Sequence, residues 1–144
     1  MKLLLDTHTL LWYLTTPEKL PVAAHRAIQA AENEVYASLA SAWEIAIKVA
    51  LGKLDFDVDS LEAALAASGI QLLGIDLQHT ARVATLPQHH RDPFDRLLVA
   101  QALCESMTLV SRDGELAKYG LRLLWRDALP ARARRAPARR GRAA

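Results

Sequence analysis

Four acidic side chains in this sequence stand where a carboxylate needs a reason: Asp6, Glu44, Asp95 and Asp113. Asp6 closes the short apolar run of residues 3–5. Glu44 is embedded in Ala42, Trp43, Ile45, Ala46 and Ile47, the least expected surroundings of the four. Asp95 lies three residues into the segment DPFDRLLVAQALCES, and Asp113 follows the apolar stretch TLVSR. Three or four carboxylates brought within a few Å repel, and each raises the pKa of its neighbours. A divalent cation removes that cost. Mg²⁺ and Mn²⁺ prefer oxygen ligands, and a cation so held can activate water and neutralise charge on a phosphodiester.

Each acid also has a local explanation. Asp6 is a favoured N-cap type for a helix starting near His8. Glu44 can pair with Lys48 one turn on. Asp95 falls in the first turn of a helix, where the dipole favours an acid. Asp113 can cap the segment GELAKYG. The case for a common site therefore depends on whether the fold gathers them.

Other chemistries fit less well. The sequence has no G-x-x-x-x-G-K-[ST] loop, no G-x-G-x-x-G and no G-x-S-x-G. His8, not an aspartate, stands two residues after Asp6, against an aspartyl-phosphate scheme. His89 and His90 are adjacent and lack partners at zinc-ligand spacing.

The elements that must position the acids alternate in type. Strands are expected at residues 2–5, 34–38, 70–75 and 108–111, with a fifth possible at 121–125. Helices are expected at residues 8–15, 21–31, 39–51, 58–68, 76–86 and 93–106, with Asp92 as N-cap and Pro93 at N1 of the last. This alternation predicts an α/β fold, a single domain over residues 1–129 with a central, mostly parallel sheet of four to five strands flanked by helices. In such sheets ligands bind outside the carboxyl ends of the strands, where Asp6 and Asp113 would lie. Asp95 joins them if its helix runs antiparallel to the strands.

Four blocks, LLLDTHTLLW, SAWEIAIK, RDPFDRLLVAQA and LVSRDGEL, together resemble the PIN domain of the VapC toxin type, over about residues 1–127. The resemblance implies a PIN-like fold and a Mg²⁺-dependent endoribonuclease, with Mn²⁺ as a possible substitute. It implies inhibition by a cognate antitoxin and a homodimer. Asp6, Glu44, Asp95 and Asp113 match the family's four acids, with Asp6 and Asp95 the most direct metal ligands. Thr7, Ser111 and Asp92 would hold those acids in place. Two other readings stay open: an RNA-processing PIN nuclease without a toxin role, and a non-catalytic PIN-like module that binds RNA or a partner.

The chain's 144 residues carry a net charge of +2 that hides an asymmetry. Of its 18 lysines and arginines, six are arginines beyond Pro130, leaving 12 basic groups against 16 acids, a net of −4 for the rest. Residues 130–144, rich in Ala, Arg and Pro, are expected to be a disordered tail. Arg91, Arg96 and Arg112 flank the acids and are candidates to hold RNA phosphates. Leu10, Leu11, Trp12 and Leu14 make the first helix apolar around most of its circumference, and Trp12 is the candidate for a partner-facing side chain. Cys104, the one cysteine, is expected to be a buried, unreactive thiol. With no signal-peptide-like run and no apolar span, the expectation is a soluble cytoplasmic protein. If the tail touches phosphates, deleting residues 130–144 will weaken RNA binding and flatten its salt dependence. Binding isotherms over a salt series check this.

Overall fold

The computed structural model describes residues 1–126; the expected boundary at residue 129 and the arginine-rich segment lie outside the described residues. Five strands form one sheet: β1 (Lys2–Leu5), β2 (Glu34–Ser38), β3 (Ile70–Leu73), β4 (Thr108–Val110) and β5 (Leu123–Leu124). Their order is β3-β2-β1-β4-β5 and every pairing is parallel. Among the described residues the α-helices are α1 (Thr7–Thr15), α2 (Val22–Gln29), α3 (Leu39–Ala50), α4 (Leu61–Ala67), α5 (Leu77–Thr85) and α6 (Pro93–Glu105). Single 3₁₀ turns occupy Pro17–Lys19 and Val58–Ser60, and a longer one occupies Gly114–Tyr119. The expected elements are present, several of them shorter at their ends. The stretch at 58–68 divides into a 3₁₀ turn and α4; β3 stops two residues short, and β5 starts two residues late and stops one early.

The sheet is covered on both faces, so its central strands read as continuous apolar runs. Leu3 and Leu5 point to one face, where they join Leu10 of α1, Ala24 and Ile28 of α2, Ile45 of α3 and Leu65 of α4. Leu4 points to the other and packs with Leu98, Val99 and Ala102 of α6, Leu109 of β4 and Leu116. The period-two alternation of three consecutive leucines thus anchors two separate core layers.

From β1 the chain winds outward through β2 to β3, then returns across the sheet to β4 and β5. The winding reverses between β1 and β4, and a crevice opens there at the strands' carboxyl ends. The backbone stitches this point: Asp6 N–H donates to the Val110 carbonyl (3.1 Å), as does the Thr9 hydroxyl (3.1 Å).

A buried polar link crosses the core beneath the rim. The Ser38 hydroxyl, which caps α3, donates to Gln101 Oε1 (2.6 Å), and Gln101 Nε2 donates to the Gly74 carbonyl (3.1 Å). Gln101 is fully buried. Gln101→Leu keeps the volume but strips both partners, and a buried polar group left unpaired costs about 1–3 kcal/mol. Urea unfolding should show a lower midpoint with an unchanged slope.

Candidate metal centre

Asp6, Glu44, Asp95 and Asp113, separated by as many as 107 positions in the chain, line one cavity of about 420 Å³ at the switch point. Asp92, also in its wall, makes a fifth carboxylate, against the cationic side chains of Lys48 and Arg112.

Each acid is placed by a different element. Asp6 is the N-cap of α1: Oδ1 accepts from Thr9 N–H (2.8 Å), which leaves Oδ2 free of that bond. Glu44 sits on α3 and is nearly buried; its Oε1 accepts from the Thr7 hydroxyl (2.6 Å), and Lys48 Nζ lies 3.2 Å from its Oε2. The Thr7 hydroxyl is also 3.0 Å from Ser41 Oγ, so Thr7 ties α1 to α3 at the site. Asp92 caps α6, accepting from Phe94 N–H (2.8 Å) and Asp95 N–H (3.3 Å). Asp113 caps the 3₁₀ turn after β4 through Glu115 N–H (3.0 Å), while buried Ser111 accepts from Asp113 N–H (3.1 Å). The three residues expected to hold the acids therefore touch them or their backbone.

Asp95 differs from the rest. It is half-buried in the first turn of α6, and among the described residues no group donates a hydrogen bond to its carboxylate. Burial pushes its carboxyl up to about 7, and the charges of Asp92, Asp6 and Glu44 push the same way, with His90 offsetting part. A desolvated carboxyl that accepts no hydrogen bond and faces several like charges suits a divalent cation. All the acids offer oxygen, the donor set of Mg²⁺ or Mn²⁺.

Three side chains entered the site without being expected there. His8 follows Thr7 in the wall, and Lys48 reaches it from one turn beyond Glu44. The i,i+4 pairing with Glu44 was visible in the sequence, but not that it would face the cavity. His90, read as lacking partners, has two: its Nε2 lies 2.9 Å from Asp113 Oδ2 and 3.6 Å from Asp95 Oδ2. The loop before α6 folds it inward.

The arginines separate. Arg112 lines the cavity and lies over the Trp12 ring, 5.2 Å from its centroid. Arg91, next to Asp92 in sequence, is exposed and is not part of the cavity wall. Arg96 corrects the expectation: it is buried, and its guanidinium donates to the Pro87 carbonyl (2.8 Å), the Tyr119 hydroxyl (3.2 Å) and the Val83 carbonyl (3.3 Å). One residue after Asp95 on a helix, it points away from the cavity and braces α5 and the 3₁₀ turn. Cys104 is half-buried at the α5–α6 seam rather than within the core, with Sγ 3.8 Å from the Gln78 carbonyl. Trp12 packs partly against the core and beside Trp125.

An all-parallel sheet in this order, with an acid-lined crevice at its switch point, defines an α/β protein of the PIN kind. Residues 3–121 match the family model described as PIN domain, and the chain belongs to that family. Among curated proteins it is similar to Ribonuclease VapC22 of Mycobacterium tuberculosis, with 29% identity over 118 residues, 81% of this chain and 90% of that one. Its fold is similar to VapBC2 from Rickettsia felis bound to a DNA fragment from their promoter (TM-score 0.67, 17% identity, 87% of this chain and 99% of the other). It is also similar to VapBC-1 from nontypeable Haemophilus influenzae (TM-score 0.63, 19% identity, 86% and 97%). No helix among the described residues is long and apolar enough to cross a membrane.

The perturbed carboxyl has a thermodynamic consequence. In chelator-treated protein the folded state keeps a proton on Asp95 up to about pH 7. The unfolded chain releases it near pH ~4. Across that window the folded state binds more protons, so stability present at low pH is lost as pH rises towards 7. Asp95→Asn removes this loss. Relative to wild type the variant should gain about 1–3 kcal/mol between pH ~5 and pH ~8. Denaturant titrations at the two pH values test it; a constant difference would contradict the assignment.

Proposed function

We propose that this protein is a Mg²⁺-dependent endoribonuclease of the VapC kind, hydrolysing RNA phosphodiesters and held inactive by a cognate antitoxin. The observation that carries the reading is the meeting of four sequence-distant acids, one of which, Asp95, accepts no hydrogen bond from a described group and has its carboxyl pushed up by burial and by the other acids. The step to RNA is supported by likeness to a ribonuclease of the same family.

When bound, a divalent cation would neutralise charge on the phosphodiester and activate the attacking water. Asp6 and Asp95 are the ligands best prepared for it, since Asp6 Oδ2 is not used in capping and Asp95 accepts nothing from the described residues. Glu44, held between the Thr7 hydroxyl and Lys48, faces the same space with its geometry set. Lys48 and Arg112 bring positive charge to the walls, suited to the phosphates on either side of the scissile one. The intact acid set favours a catalytic protein over a binding module.

An antitoxin partner is supported by likeness to toxin–antitoxin complexes and by apolar surface on this chain. Between α3, α4 and β3 lies a groove of about 370 Å³ walled by Val58, Leu61, Leu65, Ile70 and Leu72, with Val58 and Leu72 exposed. Such a groove suits the apolar face of a partner helix. The homodimer is proposed on the resemblance alone.

With a defined RNA and Mg²⁺, Asp6→Asn should lower cleavage at least a hundredfold while leaving the chelated protein folded. Mg²⁺ should raise the melting temperature of wild type by mass action and that of Asp95→Asn less. Wild-type cleavage by Asp6→Asn would remove the active-site assignment.

A further inference from the structure

His90 stands against two acids of the crevice wall, Asp113 and Asp95, yet the four-acid reading gives it no task. Its Nε2, one Asp95 oxygen and one Asp113 oxygen lie within 4.8 Å of one another, close enough to hold a cation together. The ring's other nitrogen decides between ligand and donor. Asp92 N–H donates to His90 Nδ1 (3.2 Å). A ring nitrogen that accepts a hydrogen bond carries no proton, so the neutral ring carries its proton on Nε2. That atom then faces the carboxylates as an N–H and has no lone pair for a metal. Histidines that bind metals are wired the other way, with the outer nitrogen donating to a carboxylate or carbonyl.

The same wiring occurs a second time. His79, fully buried, accepts from Asp76 N–H at Nδ1 (3.1 Å) and presents Nε2 to Glu105 Oε2 (2.8 Å). In both places the amide of a helix-capping aspartate selects the tautomer, and the opposite nitrogen ties down a carboxylate.

We infer that His90 is a positioning residue of the acid cluster. It donates from Nε2 to Asp113 and lies against Asp95, which leaves Asp6 and Asp95 as the acids with an oxygen open to the cation. Asp113 is engaged at both oxygens, Oδ1 by Glu115 N–H and Oδ2 by His90, and becomes an outer member of the set. The inference rests on the metal reading for what the cluster is for, but the hydrogen-bond wiring is a property of the metal-free chain.

Histidine nitrogen NMR on isotopically labelled, chelator-treated protein reads the tautomer directly, with His90→Gln assigning the signal and His79 as internal reference. His90 should carry its proton on Nε2 and keep it there when Mg²⁺ is added. A proton on Nδ1, or a switch on adding Mg²⁺, would overturn the inference by making His90 a ligand. Two variants provide the second arm. Gln can present an amide N–H where Nε2 stood, whereas Phe fills the ring's volume without a donor. The Mg²⁺ concentration for half-maximal thermal stabilisation should rise about tenfold or more in His90→Phe and stay near wild type in His90→Gln. Equal values in the two variants would also overturn it. If Mg²⁺ shifts no melting curve, the metal reading fails, and the tautomer still decides whether His90 is the donor.

Discussion

Like charges crowded at one rim set the terms for the rest of this structure. Asp6, Glu44, Asp92, Asp95 and Asp113 share a single crevice, and the cost concentrates on Asp95, whose carboxyl is driven up to about 7 by burial and by its neighbours. No hydrophobic gain can relieve such a cost; it has to be met by bracing the acids individually and by leaving room for a counter-charge. The described structure does both. Four of the five acids accept hydrogen bonds from described groups; Asp95 does not, and under the proposed function it is the acid that takes a cation.

The fastening uses helix caps. Asp6, Asp92 and Asp113 each accept from amide groups of the turn that follows. Capping and membership of a common cluster are therefore not rival explanations of these residues. A cap consumes one carboxylate oxygen and orients the other. Because helices and turns begin at the carboxyl ends of parallel strands, capping acids are delivered to the rim where an α/β sheet binds its ligands. The Ser38–Gln101 link and the Thr7–Glu44–Ser41 contacts lock α1, α3 and α6 together just beneath.

Side-chain direction is where reading along the chain failed. Arg96 is next to Asp95 in sequence, but one residue on a helix is a rotation of about 100°, enough to turn a side chain from the cavity into the body of the protein. His90 failed in the opposite sense. Its partner carboxylate Asp113 is 23 residues away and reaches it only because α6 runs back along β4, bringing the residues before the helix beside those after the strand. Lys48 was legible as a partner for Glu44, since i,i+4 spacing is local, but its place in the cavity wall depended on α3 packing across the rim.

The sequence by itself determined the element types, through apolar period, capping residues and prolines, and so determined the α/β class and the order of its strands and helices. It also offered the four acids as a set, through four blocks that together resemble the PIN family, although each acid alone has a capping or pairing explanation. Only the tertiary structure decided which acids are fastened and which is left bare, that Arg96 braces and Arg112 faces the crevice, and that His90 stands between two carboxylates. The physical reason is the same throughout. Secondary structure and capping arise from neighbours within a few positions, whereas desolvation, charge repulsion and hydrogen-bond partners depend on distances that exist only once the sheet has brought β1 and β4 together.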